Sequence, residues 1–196
     1  MRIIFYRIIA AIALVILLPL FVVLYLLVKL TSKGPYIFKQ KRVGERGKIF
    51  TMYKIRAMIQ NAEKLKQKYK HLNEADGPVF KIRNDPRYTK VGKFLSYTAL
   101  DELPQLLNVV KGDMSLVGPR PLPVDETARA SSKYQARFSI PPGITSPWVI
   151  QGSHRLSFSK WMQLDLDYVV NNSLFYDLKI LLMTSKVILE SLFRNT

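Results

Sequence analysis

Two adjacent carboxylates, Asp101 and Glu102, stand just ahead of Pro104 and the apolar run Leu106-Leu107-Asn108-Val109-Val110, and Arg120 follows in the turn Gly118-Pro119-Arg120-Pro121. Acids before a proline ordinarily occupy the first turn of a helix. There they complement the positive end of the dipole, and proline gives up only an N–H that has no partner anyway. That reading needs no chemistry. The charge balance supplies a second: thirty Lys+Arg against fourteen Asp+Glu give a formal charge of +16. An acidic pair in so basic a chain is placed to hold a divalent cation while arginines and lysines receive phosphate. Pro119 and Pro121 fix the backbone on either side of Arg120 and hold its direction at low entropic cost.

The rest of the composition narrows the field. There is no cysteine, which excludes disulfides, thiolate metal sites and a cysteine nucleophile. His71 and His154 are the only histidines, too few for a histidine-rich metal site. So large a positive excess implies an anionic partner: a phosphorylated ligand, the anionic face of a membrane, or nucleic acid. A length of 196 residues implies one compact domain.

What must carry these residues begins with an apolar run from Ile8 to Val28, interrupted by Pro19. Twenty-one residues at about 1.5 Å each reach about 30 Å, the thickness of a bilayer core. Pro19 predicts a kink near the middle. Arg2 and Arg7 flank one end, and Lys29, Lys33, Lys39, Lys41 and Arg42 crowd the other. Basic residues at both ends favour keeping both on the same side, so a re-entrant helix stands beside an ordinary single span.

Beyond it, alternation over Ile49 to Arg56 predicts a strand, paired in a hairpin with the segment before Gly44 and carrying Lys54 and Arg56 on one face. A basic helix is expected over Asn61 to Leu72, a short strand over Val79 to Ile82, and a turn at Asn84-Asp85-Pro86-Arg87. Leu103 to Val110 reads as a short helix ended near Gly112, and a further helix is expected from Asp125 to Arg137. Ile140 to Thr145 is a rigid turn, and Trp161, Leu164 and Tyr168 fall at helical spacing. The last run, Phe175 to Phe193, is amphipathic, with Leu178, Leu181, Leu182, Ser185, Ile188, Leu189 and Leu192 on one side, for core packing or for contact in the membrane plane. The fold class is α+β.

From about Pro35 to Thr184 the chain resembles the bacterial sugar transferases, in their small monotopic phosphoglycosyl transferase form. The resemblance rests on Phe38-Lys39-Gln40-Lys41-Arg42-Val43-Gly44, Tyr53-Lys54-Ile55-Arg56-Ala57-Met58, Asn84 to Gly92, Leu100 to Pro121, and Pro142-Gly143-Ile144-Thr145. It implies a membrane helix over residues 1–33, re-entrant with its break at Pro19, and a catalytic domain over residues 34–196 on the cytoplasmic face of the bacterial inner membrane. It also implies a reaction. A UDP-sugar gives its sugar-1-phosphate to a polyprenol phosphate such as undecaprenyl phosphate, and UMP leaves. Asp101 matches the nucleophile and Mg²⁺ ligand, and Glu102 the second member of the pair, associated with Mg²⁺ and acid–base work. Lys54, Arg56, Arg87 and Arg120 match basic positions around the phosphates. Anionic membrane lipids are expected partners and nucleic acid is not.

The chain departs from the family pattern at three places. Leu18 precedes Pro19 where the family has serine, Ser96 replaces an arginine, and Ser153 stands where an arginine follows the glycine, with Arg155 two positions on to supply the charge. The alternative to an enzyme is a membrane-tethered basic module that binds anionic lipid or nucleic acid, or a weakly catalytic relative acting as a scaffold.

Overall fold

The computed structural model describes residues 2–151 and 156–194, so Ser153 and Arg155 lie outside the described residues. The apolar run forms two helices, α1 (Arg2–Ile16) and α2 (Leu18–Thr31), bent by 61° at Leu17. Pro19 sits in the first turn of α2. It lacks an N–H, and its ring crowds the carbonyl one turn earlier, so the axis turns upstream of the proline and not at it. Among the described residues no single helix is long and apolar enough to cross a membrane, and the bent pair reaches that length and composition only when its two helices are taken together.

Both helices lie on the rest of the chain. Tyr6 and Ala10 pack with Phe50, Met52, Leu106 and Val109. Leu24 and Val28 pack with Ile55 and Leu95. Each end of the pair is also tied by hydrogen bonds. Arg2 donates to Asn172 Oδ1 at 2.5 Å and lies 3.5 Å from buried Asp177; Arg56 donates to the carbonyls of Ser32 at 3.0 Å and Pro35 at 2.6 Å. The outer sides keep Ile8, Ile12, Val15, Ile16, Leu18 and Val22 exposed.

The hairpin forms as its alternation predicts. Strands β1 (Ile37–Val43) and β2 (Ile49–Ile55) pair antiparallel, Ile37 opposite Ile55 and Val43 opposite Ile49. Helix α3 (Lys90–Tyr97) starts on Thr89, whose hydroxyl accepts from Gly92 N–H at 2.9 Å. Helix α4 (Gln105–Lys111) ends on Gly112 at φ 84°, a left-handed cap that glycine adopts freely. Two short parallel strands, β3 (Ser115–Val117) and β4 (Gly143–Thr145), approach closely because Gly118 and Gly143 face each other. A Cβ on Gly143 would lie 2.1 Å from Gly118 N. Helices α5 (Val124–Arg129), α6 (Phe158–Asn171) and α7 (Leu174–Arg194) complete an α+β fold.

Four expectations are corrected. The segment 61–72 is a succession of tight turns closed mostly by i→i+3 bonds, such as Lys64 N–H to Asn61 O and Lys66 N–H to Glu63 O. Its apolar stripe of Leu65, Tyr69 and Leu72 is too narrow to anchor a regular helix among so many lysines. Among the described residues the segment 79–82 is not paired as a strand, although the Lys81 carbonyl accepts from Glu74 N–H at 2.9 Å. Side chains take its amides instead: Phe80 N–H donates to Glu126 and Lys81 N–H to Asn73. The helix expected over 125–137 breaks at Ala130, which is extended, and resumes as a 3-10 turn over Ser132–Ser139 that brings Tyr134 and Arg137 inward. In α7 the packed face is Asp177, Ile180 and partly Leu181, whereas Leu178, Leu182 and Leu189 are exposed.

Candidate active site

Between α3 and α4 the chain passes through Ala99 at φ 56°, a left-handed conformation that costs an alanine about 1–2 kcal/mol. The reversal delivers a 3-10 turn, Leu100–Glu102, with its carboxylates against β2 and the Pro119-Arg120-Pro121 turn. Asp101 is buried at 6% exposure. Lys54, reaching from β2, lies 2.7 Å from Glu102 Oε1 and 3.7 Å from Asp101 Oδ2. Arg120 grips Glu102 with a two-pronged contact, Nη2 to Oε1 and Nη1 to Oε2 at 3.1 Å.

The two carboxyls are driven apart. Burial pushes Asp101 up to about 6, with Lys54 opposing and the neighbouring Glu102 charge adding to the rise. Glu102 feels burial as well, but Arg120 and Lys54 override it and hold its carboxyl far below the usual range. One carboxylate is thereby fixed as a permanent anion between two cations, and the other is poised to gain or lose charge near neutrality. A group of three or more His, Cys, Asp or Glu suited to a metal is not found among the described residues. Magnesium needs no such cage. It is held by one or two carboxylates with substrate phosphates and water, and Asp101, less tightly engaged than Glu102, fits as that ligand.

Of the sequence-derived site residues, the fold brings Lys54, Asp101, Glu102 and Arg120 together. Arg56 is buried and clamps the end of α2 through Ser32 and Pro35. Arg87 is buried against Asp85, at 2.9 Å and 2.6 Å, and donates to the Ala62 carbonyl. Neither contacts the carboxylate pair among the hydrogen bonds and ion pairs of the described residues. Ser96 shares a 2.9 Å hydrogen bond with the Tyr88 hydroxyl. Burial raises the Tyr88 hydroxyl above its usual range, and the nearby Asp101 charge adds to the rise.

Three contributors escape a reading of spacing alone. Asn108 is fully buried in α4. Its amide donates to Thr51 O at 2.7 Å and its carbonyl oxygen accepts from Tyr53 N–H at 3.1 Å, continuing the open edge of β2 beside Lys54. Arg42 donates to Pro121 O at 2.8 Å, and Arg137 donates to Arg120 O at 2.6 Å and to buried Asp165 at 2.6 Å. A signal existed for the last pair. Asp165 falls on the same helical stripe as Trp161, Leu164 and Tyr168, and a charge on an apolar face demands a buried partner.

Comparison with known proteins shows what the chain is similar to. The chain is 47% identical over 157 residues to the galactosyl transferase CpsE of Streptococcus agalactiae, covering 80% of this chain and 35% of that protein. It is 40% identical over 176 residues to the undecaprenyl-phosphate galactose phosphotransferase of Salmonella typhimurium, covering 85% and 36%. It therefore spans little more than a third of either relative. The exopolysaccharide production protein ExoY of Sinorhizobium fredii is nearer in size, 38% identical over 180 residues that make up 90% of this chain and 80% of that one. The family described as bacterial sugar transferase matches residues 1–191, and with the carboxylate pair, Lys54 and Arg120 converging inside that span, the chain belongs to the bacterial sugar transferase family.

Proposed function

We propose that this protein transfers sugar-1-phosphate from a UDP-sugar to membrane polyprenol phosphate, undecaprenyl phosphate in a bacterium, as a membrane step of polysaccharide synthesis. The observation that carries the reading is the split carboxylate pair, with Glu102 locked between Lys54 and Arg120 and Asp101 buried beside them with a proton affinity near neutrality. A carboxylate ionised at neutral pH, desolvated and flanked by cations is an activated nucleophile toward phosphorus.

An Asp101 oxygen attacks the β-phosphorus, the bond to the UMP oxygen breaks, and its electron pair leaves with UMP. An oxygen of the lipid phosphate then displaces the aspartate from the acyl-phosphate, restoring the free carboxylate. Lys54 and Arg120 lower the repulsion between attacking and attacked anions, and Glu102 holds both cations in place. Magnesium, bound by Asp101 and the diphosphate, would supply further charge neutralisation.

The acceptor lies at a membrane surface, and the bent pair α1–α2 supports a re-entrant helix. Its two ends are tied to the same domain by Arg2 and Arg56 while apolar side chains cover its outer side. The domain sits on the cytoplasmic face, its lysine-rich surface toward anionic lipid. The test is UMP release from a panel of UDP-sugars with undecaprenyl phosphate in detergent or nanodiscs. Repeated turnover that needs the lipid, stops with EDTA, returns with Mg²⁺ and is lost in Asp101→Asn is the expected result, with no more than a single stoichiometric release of UMP when the lipid is left out. Strong lipid or RNA binding without any UMP would replace the enzyme by a binding module.

A further inference from the structure

The turn that carries Arg120 is buried on both sides of that residue, from Val117 to Pro119 and from Pro121 to Pro123, so its carbonyls must find donors within the protein. Four consecutive carbonyls each accept a hydrogen bond, from three parts of the chain: Pro119 O from Gly143 N–H at 3.0 Å, Arg120 O from Arg137 at 2.6 Å, and, from the end of β1, Pro121 O from Arg42 at 2.8 Å and Leu122 O from Val43 N–H at 3.1 Å. Two of the four donors are guanidinium groups, which make stronger bonds than neutral amides. Arg137 is 3% exposed and braced by Asp165 at 0%. On its other side the Arg120 guanidinium lies 6.0 Å over the Trp148 ring, which stacks on Trp161 at 4.8 Å.

Burying an arginine and an aspartate to support one backbone carbonyl is costly in desolvation, and apolar side chains of similar volume would often be at least as stable. The arrangement is explained if the carbonyl's position matters. We propose that Arg137, locked by Asp165, is a positioning residue that fixes Arg120 against Glu102 and the reacting phosphates, with Arg42 holding the next carbonyl of the same turn. This rests on the transferase reading above. Displacement by about 1 Å of a group that stabilises developing charge can cost about a hundredfold in rate.

A double-mutant cycle tests it, in the full chain with detergent or nanodiscs. Arg137→Met is expected to lower kcat/KM for the donor in UMP release about 10- to 100-fold, with weaker binding of the donor diphosphate contributing to the loss. In an Arg120→Ala background the same change should cost less than about twofold, because a residue acting through Arg120 has nothing left to position. Losses that multiply in the double mutant overturn the proposal, since they are what a merely destabilising change gives. Should Arg137→Met fail to fold, Arg137→Lys and Asp165→Asn take its place in the cycle. The affinity for inorganic pyrophosphate, measured by calorimetry on the same four proteins, gives a second readout that needs no turnover. A wild-type chain that releases no UMP sinks the transferase reading alone. Pyrophosphate affinity that falls with Arg120→Ala but is untouched by Arg137→Met sinks the positioning role.

Discussion

Lys54 Nζ stands 2.7 Å from Glu102 and 3.7 Å from Asp101, so the shared cation favours one neighbour over the other. Stability follows from that asymmetry. Asp101 binds its proton more tightly folded than unfolded, being pushed from 3.8 up to about 6. Its ionisation therefore destabilises the fold progressively as pH rises from about 4 through 6, by at most about 3 kcal/mol at 1.36 kcal/mol per unit. Asp101→Asn should raise stability by about 1–3 kcal/mol at pH 7.5, and the gain should vanish near pH 4. Glu102 has the opposite sign. Its contribution is present above its unfolded value and lost as pH falls through its depressed folded value, so Glu102→Gln should destabilise by about 2–4 kcal/mol at neutral pH by stranding two cations. Thermal melts of both variants across pH 4 to 8 measure the contrast.

Catalysis should report the same group. With Asp101 as nucleophile, kcat/KM for the donor is expected to rise about tenfold per pH unit up to about 6 and then level off. An acid limb centred near 4 would mean that the rise burial gives Asp101 is absent in the working enzyme, and a rate that does not fall toward low pH would mean that Asp101 does not titrate in it.

Asn108 offers a test of how β2 is held. Asn108→Ala leaves Tyr53 N–H and Thr51 O without their side-chain partner. A loss of about 2–4 kcal/mol is expected for two buried groups left unsatisfied, with a fall in UMP release because Lys54 lies on the loosened strand. Chemical denaturation and turnover of the one variant check both.

The absence of cysteine makes membrane topology easy to probe. Single cysteines at Ile3 and Lys33, both exposed, should react with an impermeant maleimide from the same side of sealed vesicles. Labelling from opposite sides would establish a span and remove the re-entrant helix.

How much was legible depended on whether a residue's task was local. The hairpin was readable because alternation reports burial directly, and the break near Pro19 because proline acts on its own helix. The carboxylate pair and Arg120 were visible as residue types, and Lys54 as a register position. Arg56 and Arg87 carried the right charge, yet their partners, Ser32 and Pro35 for one and Asp85 for the other, belong to tertiary packing that spacing does not encode. The failed helix over 61–72 and strand over 79–82 have a common cause. Local pattern proposed each element, but the first has too narrow an apolar stripe for a regular helix, and the second, though Val79 and Ile82 are buried, is not paired as a strand among the described residues.

The two-stranded hairpin has a consequence for the life of the chain before it reaches its working surface. A lone β-ribbon ordinarily offers two rows of unpaired amides to any passing strand. Here one margin is interrupted at Thr51 and Tyr53 by the Asn108 side chain, and the other at its Val43 end by Leu122 and the bridge between Arg42 and Pro123. A molecule carrying this much greasy surface would otherwise present two unbroken templates for sheet-to-sheet clumping; a plug in the middle of one margin and at the end of the other shortens the stretch an incoming strand could match.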